Sequence, residues 1–320
     1  MRPESTSVSF RADLSAFAQE YNEKMAATYF IGDRVAPIFE TDECSGHYPI
    51  MKRENFKKPA NTKRTSRGAY NRIQGEFGRG TYDCEENGLE YPVDDAMRRK
   101  YAGLFKSEKA AVRILNFQLL MARERRVASL FSGGGFTNTN VSTAWSTSAS
   151  AVPLDDIATG INTLSDKCGV AKQDVGLIIP RADFQEMVQT DQVNDKIKYT
   201  YPGSQPALLK PTQVAAMLEI GQVLVPAGVY DSTEEGVAET NTQIWTAGVC
   251  YLVVLCQAKD DLEVPGAART ILWTADSPTL PVTESYRDDE VRADVVRSRE
   301  HTDEVLIGET DLFVYKLTNT

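Results

Sequence analysis

Ser107-Glu-Lys-Ala-Ala-Val-Arg-Ile-Leu-Asn-Phe-Gln-Leu-Leu-Met-Ala-Arg-Glu-Arg-Arg-Val-Ala-Ser-Leu-Phe131 is the stretch on which the fold reading turns. Ser107 and Glu108 supply an N-cap and an acidic first turn, both of which favour a helix start. Ala110, Ile114, Phe117, Met121, Ala128 and Phe131 then follow one helical face, with Val112, Leu115, Leu119, Val127 and Leu130 beside it. Lys109, Arg113, Asn116 and Arg123 mark the expected wet side. Gly133-Gly-Gly135 stands where a left-handed cap belongs. At 1.5 Å per residue the helix over 107–131 spans about 37 Å, roughly twice the common helix length.

Working outward, the residues before it lack this regularity. An amphipathic piece runs from Arg11 to Met25, with Leu14, Phe17, Ala18 and Tyr21 at helical spacing, and is expected to lie on the main body or on a partner. Tyr29-Phe-Ile-Gly-Asp-Arg-Val-Ala-Pro-Ile-Phe39 is apolar but broken by Gly32 and Pro37, so extended chain is expected there. Two extended arms, His47–Arg53 and Gly80–Tyr91, enclose a polar tip between Lys57 and Gly78 that is too poor in aliphatics to bury a core. A loop of that length is functional or disordered as a rule.

The second half alternates. Pro153–Cys168 opens with Pro-Leu-Asp-Asp and reads as a helix, Val175–Ile179 as a buried strand, and Arg181–Ile197 as a helix. Val223–Pro226, Thr242–Trp245 and Val249–Cys256 read as strands, and Val291–Leu317 as antiparallel strands with one wet face. The whole is an α+β pattern without a fixed-period repeat.

Charge is segregated. The net charge is −10, yet His47–Tyr82 holds nine basic residues and only two acidic ones, Glu54 and Glu76. A basic segment on an acidic body fits contact between copies of one chain. Bases interleaved with Tyr48, Phe56, Tyr70 and Phe77 also fit a single-strand nucleic-acid groove, but a pI near 4.9 weighs against it. The candidate contact residues are Lys52, Arg53, Lys57, Lys58, Lys63, Arg64, Arg67 and Arg72.

Catalytic signatures fail in turn. There is no Gly-x-Ser-x-Gly elbow, phosphate loop or His-Glu-x-x-His. Gly75-Glu-Phe-Gly-Arg-Gly80 lacks the spacing and following helix of a phosphate site. Five scattered cysteines and two isolated histidines give no zinc spacing, so neither a catalytic residue, a cofactor nor a metal is expected. No apolar run is long enough to cross a membrane, and the N-terminus lacks the apolar region of a secretory signal, so synthesis in the cytosol is expected.

The order of these pieces resembles the major capsid proteins of tailed phages, with the Hong-Kong-97-type fold shared with encapsulins. Phe30–Phe39 looks like the family's lead-in segment, Gly46–Phe56 and Tyr82–Val93 like the rising and descending strands of its extended loop, and Tyr91-Pro-Val-Asp-Asp95 with Ser107–Phe131 like its spine helix and approach. Trp145 and Pro153–Ile157 resemble the connection to the axial domain, and Ile271-Leu-Trp273 and Tyr286-Arg-Asp288 the return.

The resemblance implies an N-terminal arm and lead-in over 1–45, an extended loop over 46–92, and a peripheral domain over 93–150. An axial domain over 151–285 and a return to the peripheral domain over 286–320 complete it. It also implies hexamers and pentamers tiling an icosahedral head around double-stranded DNA bound without sequence specificity. The implied partners are a portal, a decoration protein and, since no charged helical prodomain precedes the arm, a separate scaffolding protein unless the chain is already mature. The location it implies is the virion, after assembly in the host cytoplasm. An encapsulin-like cargo shell is the near alternative and an acidic α/β enzyme the remote one. Some family members form lysine–asparagine cross-links. Lys52, Lys57, Lys58, Lys63 and Asn319 are the residues available, but a terminal asparagine is expected to be too mobile for a preorganised site, so no cross-link is expected.

Overall fold

The computed structural model describes residues 9–319 apart from 53, 58, 102–105, 201–208, 235, 257–260 and 310. Its longest strand, Ala293–Leu306, organises a six-stranded sheet. Val295 pairs with both Tyr286 and Pro92, and Thr302 with both Leu272 and Glu85. Val282–Asp288 and Ala268–Trp273 therefore share one side of the long strand, and Glu85–Asp94 takes the other. Ile38–Thr41 adds in parallel to Ala268–Trp273, and Ser9–Phe10 closes the far end on Val282–Asp288.

A second sheet has five strands in the order Asn138–Asn140, Val314–Thr318, Val249–Val254, Val175–Ile178 and Gln222–Leu224. Val175–Ile178 is buried throughout, as a continuous apolar run in a covered sheet should be. The helix Pro153–Cys168 covers it with Leu154, Ile157, Ile161, Leu164 and Cys168, one face at three- and four-residue spacing. Proline in its first turn, two aspartates beside it, and Gly169 at φ 68 as the left-handed cap set its ends where the sequence reading put them.

The long helix, Ser107–Gly133, joins the two sheets. Its first half packs Ala111, Val112 and Leu115 against Leu14, Ala18, Val93 and Val296. Its second half carries Leu120, Val127, Ala128 and Phe131 into the main core, where the Phe131 ring lies 5.8 Å from Trp245 and 5.7 Å from Tyr251. The helix Ala12–Thr28 lies along its first half, so the amphipathic piece finds its seat on the body.

Several expectations are corrected. Asn116 and Arg123, read as wet, are 0% and 2% exposed, while Ile114, read as core, is 49% exposed. Apolar and polar residues both fall on more than one side of this helix, so periodicity alone does not fix its rotation; the ion pairs described below do. The glycine run does supply the left-handed cap expected of it: Gly135, one residue past the C-cap Gly134, takes φ 64. Gly32–Val35 forms one helical turn inside the segment read as extended, because Glu124 accepts the N–H groups at its start. The helix read over Arg181–Ile197 is two, Arg181–Gln189 and Asp191–Thr200, parted at Thr190, whose hydroxyl donates to the Met187 carbonyl.

The sheets also interleave the chain. Ala268–Trp273 and Val282–Asp288 lie in the six-stranded sheet with the first half, and Val314–Thr318 lies in the five-stranded sheet.

Candidate assembly surface

Ser45–Met51 and Phe77–Asp83 form an antiparallel hairpin, in register from Ser45 opposite Asp83 to Met51 opposite Phe77. Two tyrosine–glycine pairs cross it. A Cβ on Gly80 would meet the Tyr48 ring at 2.3 Å, and one on Gly46 would meet the Tyr82 hydroxyl at 2.8 Å. Each ring thus lies over a glycine directly opposite, a packing that covers bare backbone and pins the register.

Tyr48, Tyr82 and Cys84 seat the root against Ile271, Val305 and Ile307. The second arm, read as one strand over Gly80–Tyr91, is split at Cys84. Its N–H donates to the Cys44 carbonyl at 2.9 Å and closes the hairpin, and Glu85–Asp94 then joins the six-stranded sheet. Burial pushes the Cys84 thiol up to about 12.

The tip between the arms is organised by its own polar groups. Asn55 donates to the Glu76 carbonyl and accepts from its N–H, at 2.7 and 3.0 Å. Asn71 donates to the Asn61 carbonyl at 2.7 Å. Arg64 donates to the Gly68 carbonyl at 2.6 Å and stacks 4.4 Å from the centre of the Tyr70 ring, bracing a turn in which Arg67 takes φ 63.

Six of the eight contact candidates are described, and Arg53 and Lys58 lie outside the described residues. Lys52 pairs with Glu76 at 3.2 Å and Arg64 is committed to the turn, so these two hold the tip together. Lys57, Lys63, Arg67 and Arg72 are exposed, and none has an ion-pair partner among the described residues. Lys57 sits in the short helix Glu54–Lys57, which lies beside Pro153–Cys168 of the same chain. Tyr70, Ile73 and Phe77 are 74%, 73% and 54% exposed, so the tip offers apolar surface together with charge.

Behind the root lies a buried ionic network that sequence reading missed. Arg123 reaches Asp33 at 3.0 Å and Glu300 at 3.2 Å, and Arg126 reaches Glu300 at 3.2 Å and Glu304 at 2.8 Å. Burial pushes the Glu300 carboxyl up, and it would lower Arg123 were Asp33 and Glu300 not beside it; the net direction for Arg123 is upward. Glu124, on the same helix, accepts from Ile31 N–H at 3.2 Å, Gly32 N–H at 2.5 Å and the Trp245 indole at 2.6 Å. The only sequence signal was the run Arg123-Glu-Arg-Arg126 between the apolar stretches Leu119–Ala122 and Val127–Phe131 of the helix.

Two further clusters bear on chemistry. Ser277 and Asp276 both approach Nδ1 of His301, at 3.2 and 3.0 Å, so the three cannot relay a proton from hydroxyl through both ring nitrogens to carboxylate. Asn319, expected to be mobile, is 8% exposed; its amide donates to Asp183 at 2.7 Å and Glu186 at 3.2 Å and accepts from Trp145 N–H at 2.8 Å. Among the described residues no group of three or more acidic, histidine or cysteine side chains could hold a metal, and no helix is long and apolar enough to cross a membrane.

The interleaved sheets, the joining helix and the hairpin together are the major capsid protein fold of tailed phages. A phage-related protein from Bordetella bronchiseptica RB50 superposes with a TM-score of 0.73 at 17% identity, over 97% of each chain. The capsid of Cyanophage P-SCSP1u matches with a TM-score of 0.56 at 11% identity, over 90% of this chain and 88% of that one. A virus-like particle from Pyrococcus furiosus matches with a TM-score of 0.55 at 9% identity, over 95% and 97%. No protein-family model matches the sequence, and no curated protein does.

Proposed function

We propose that this chain is the major capsid protein of a tailed phage, a structural shell subunit and not an enzyme. The observation that carries the reading is the hairpin tip. It presents exposed Tyr70, Ile73 and Phe77 among bases without ion-pair partners among the described residues, on a chain that shares the fold of a solved phage capsid over 90% of its length. Such a surface is stabilised when another copy covers it.

In this reading copies form hexamers and pentamers of an icosahedral head around double-stranded DNA, which the acidic body holds without tight or sequence-specific phosphate contacts. A separate scaffolding protein guides assembly in the host cytoplasm, and a portal and a decoration protein complete the virion. The segments 1–45, 46–92, 93–150, 151–285 and 286–320 serve as arm, extended loop, peripheral domain, axial domain and return. Within those ranges Ala268–Trp273 and Val282–Asp288 would act with the peripheral part and Val314–Thr318 with the axial part, a division that the strand order supports.

Electron microscopy of the purified protein, alone and with crowding agents, tests the reading. Closed shells or capsomers are the expected result, and a protein that remains monomeric at high concentration would overturn it.

A further inference from the structure

The inward face of the hairpin ends on a pair that breaks its own pattern. Along that face Ile50 stands opposite Gly78, Tyr48 opposite Gly80 and Tyr82 opposite Gly46, so each rung sets a large side chain against a glycine. One rung further the partners are Cys44 and Cys84, two thiols and no glycine. The ladder reaches them, since Cys84 N–H donates to the Cys44 carbonyl at 2.9 Å. Both side chains belong to one apolar cluster with Tyr48, Tyr82 and Ile271, and both are free thiols.

Their geometry suits a bond. Directly opposite residues of an antiparallel pair have Cα atoms about 4.5–5.5 Å apart, inside the roughly 4.4–6.8 Å that a disulfide spans. The Cys44 thiol donates to the Cys84 carbonyl at 3.6 Å, so it points across the ladder at its partner. The Cys84 thiol donates to the Ile271 carbonyl at 3.7 Å. Exposure divides their roles. Cys84 is 6% exposed, and burial, with Asp303, Cys44, Asp83 and Glu304 nearby, pushes its thiol up to about 12. Cys44 is only partly buried and is the thiol that a reagent reaches first.

We propose that Cys44 and Cys84 are a redox pair, closed to a disulfide across the hairpin root by reaction with a small-molecule disulfide. Cys44 gives up its proton and attacks one sulfur of the reagent, whose S–S bond breaks. Half of the reagent leaves as a thiol that takes up the proton, and half stays bonded to Cys44. Cys84 then gives up its proton and attacks the Cys44 sulfur, expelling the second half as a thiol. Two cysteine thiols are oxidised, and one reagent disulfide is reduced to two thiols. The small ionised fraction of Cys84 is offset by position, because a sulfur held opposite its target acts at a high effective concentration. Asp42, Glu43, Asp83 and Glu85 are exposed around the pair, so a cationic disulfide is drawn to Cys44 and an anionic one repelled. The bond joins residues 40 apart, where the hairpin passes into the six-stranded sheet, and fixes the root without joining copies.

Cystamine, a cationic disulfide, and dithiodiglycolate, an anionic one of similar size, test the pair on the reduced, unassembled full chain. Non-reducing tryptic mapping after cystamine should find peptides 35–52 and 80–98 joined through Cys44 and Cys84. Cys84→Ala should stop at the mixed disulfide, with the reagent still on Cys44, and Cys44→Ser should leave Cys84 unmodified. The Cys44 adduct should disappear at least about tenfold faster in the wild type than in Cys84→Ala. At low salt cystamine should close the pair at least about tenfold faster than dithiodiglycolate, each rate divided by that for the chain unfolded in urea. Circular dichroism checks that both variants fold, and the wild-type map decides the matter without them. A wild-type map in which Cys44 keeps the reagent, or in which either residue is joined to another cysteine, would overturn the proposal. So would modification of Cys84 ahead of Cys44, and equal corrected rates for the two reagents would overturn the selection by charge.

Discussion

Replacing Glu124 by leucine removes one acceptor and strands three donors. The carboxylate is 2% exposed and receives the N–H groups of Ile31 and Gly32 and the indole of Trp245. Each buried donor left without a partner costs about 1–3 kcal/mol. Against that sum stands the cost of burying the carboxylate itself, which the substitution relieves and which shows in the upward push of burial on its carboxyl. The net loss should be about 3–5 kcal/mol for Glu124→Leu. Glutamine keeps a carbonyl acceptor but turns an NH2 toward one donor, so Glu124→Gln should lose about 1–2 kcal/mol.

Urea unfolding of the unassembled protein measures both. The pH dependence gives a second check. A carboxyl raised in the folded state binds its proton more readily there than in the unfolded chain. Its effect on stability therefore grows as pH falls through the folded value toward about 4.5. The wild type gains this increment as pH falls toward about 4.5 and the glutamine variant does not, so the gap between their midpoints should widen in acid. A gap that closes on acidification, or a leucine variant more stable than the glutamine one, would refute the reasoning.

Gly160→Ala should destabilise by about 1–3 kcal/mol in the same assay, because the new Cβ would meet Leu252 Cδ1 at 2.6 Å and the Tyr315 ring at 2.8 Å where helix Pro153–Cys168 rests on its sheet. Cys84, with its thiol near 12, should resist iodoacetamide at pH 8 in the native protein and react only on unfolding, which peptide mapping by mass spectrometry reads directly. Assembled particles, boiled, reduced and treated with detergent, should run as one band near 35.4 kDa, since the Asn319 amide is buried and already committed to three partners; a ladder of multiples would show a cross-link and point to Lys52, Lys57 and Lys63 first.

Elements whose signal is local were legible in the sequence. Helix Pro153–Cys168 carries its own proline, acidic first turn and left-handed Gly169, and the strand Val175–Ile178 is an apolar run of strand length. The long helix was legible as a helix but not in its rotation, since Arg123 and Glu124 look like solvent-facing charges until Asp33 and Glu300, 90 and 177 residues away, are brought beside Arg123. Gly32–Val35 failed for the same reason: an isolated glycine before a proline reads as a break, and only the distant carboxylate of Glu124 makes it a helix start.

The charge layout of the hairpin was half legible, and the missing half explains why. Nine bases between His47 and Tyr82 stand out because they fall in one segment of the sequence. The acids at the hairpin root are divided between Glu40–Glu43 and Asp83–Glu86, two stretches that look unremarkable in a chain of net charge −10. Only the pairing of Ser45 with Asp83 brings those stretches to one end of the hairpin and sends the bases to the other. Charge separation along a rigid pair of strands is therefore a property of the register. The same tyrosine–glycine pairs that fix the register, Tyr48 over Gly80 and Tyr82 over Gly46, hold tip and root of one copy apart. A one-residue slip would turn both rings to the opposite face and release the root from Ile271 and Val305.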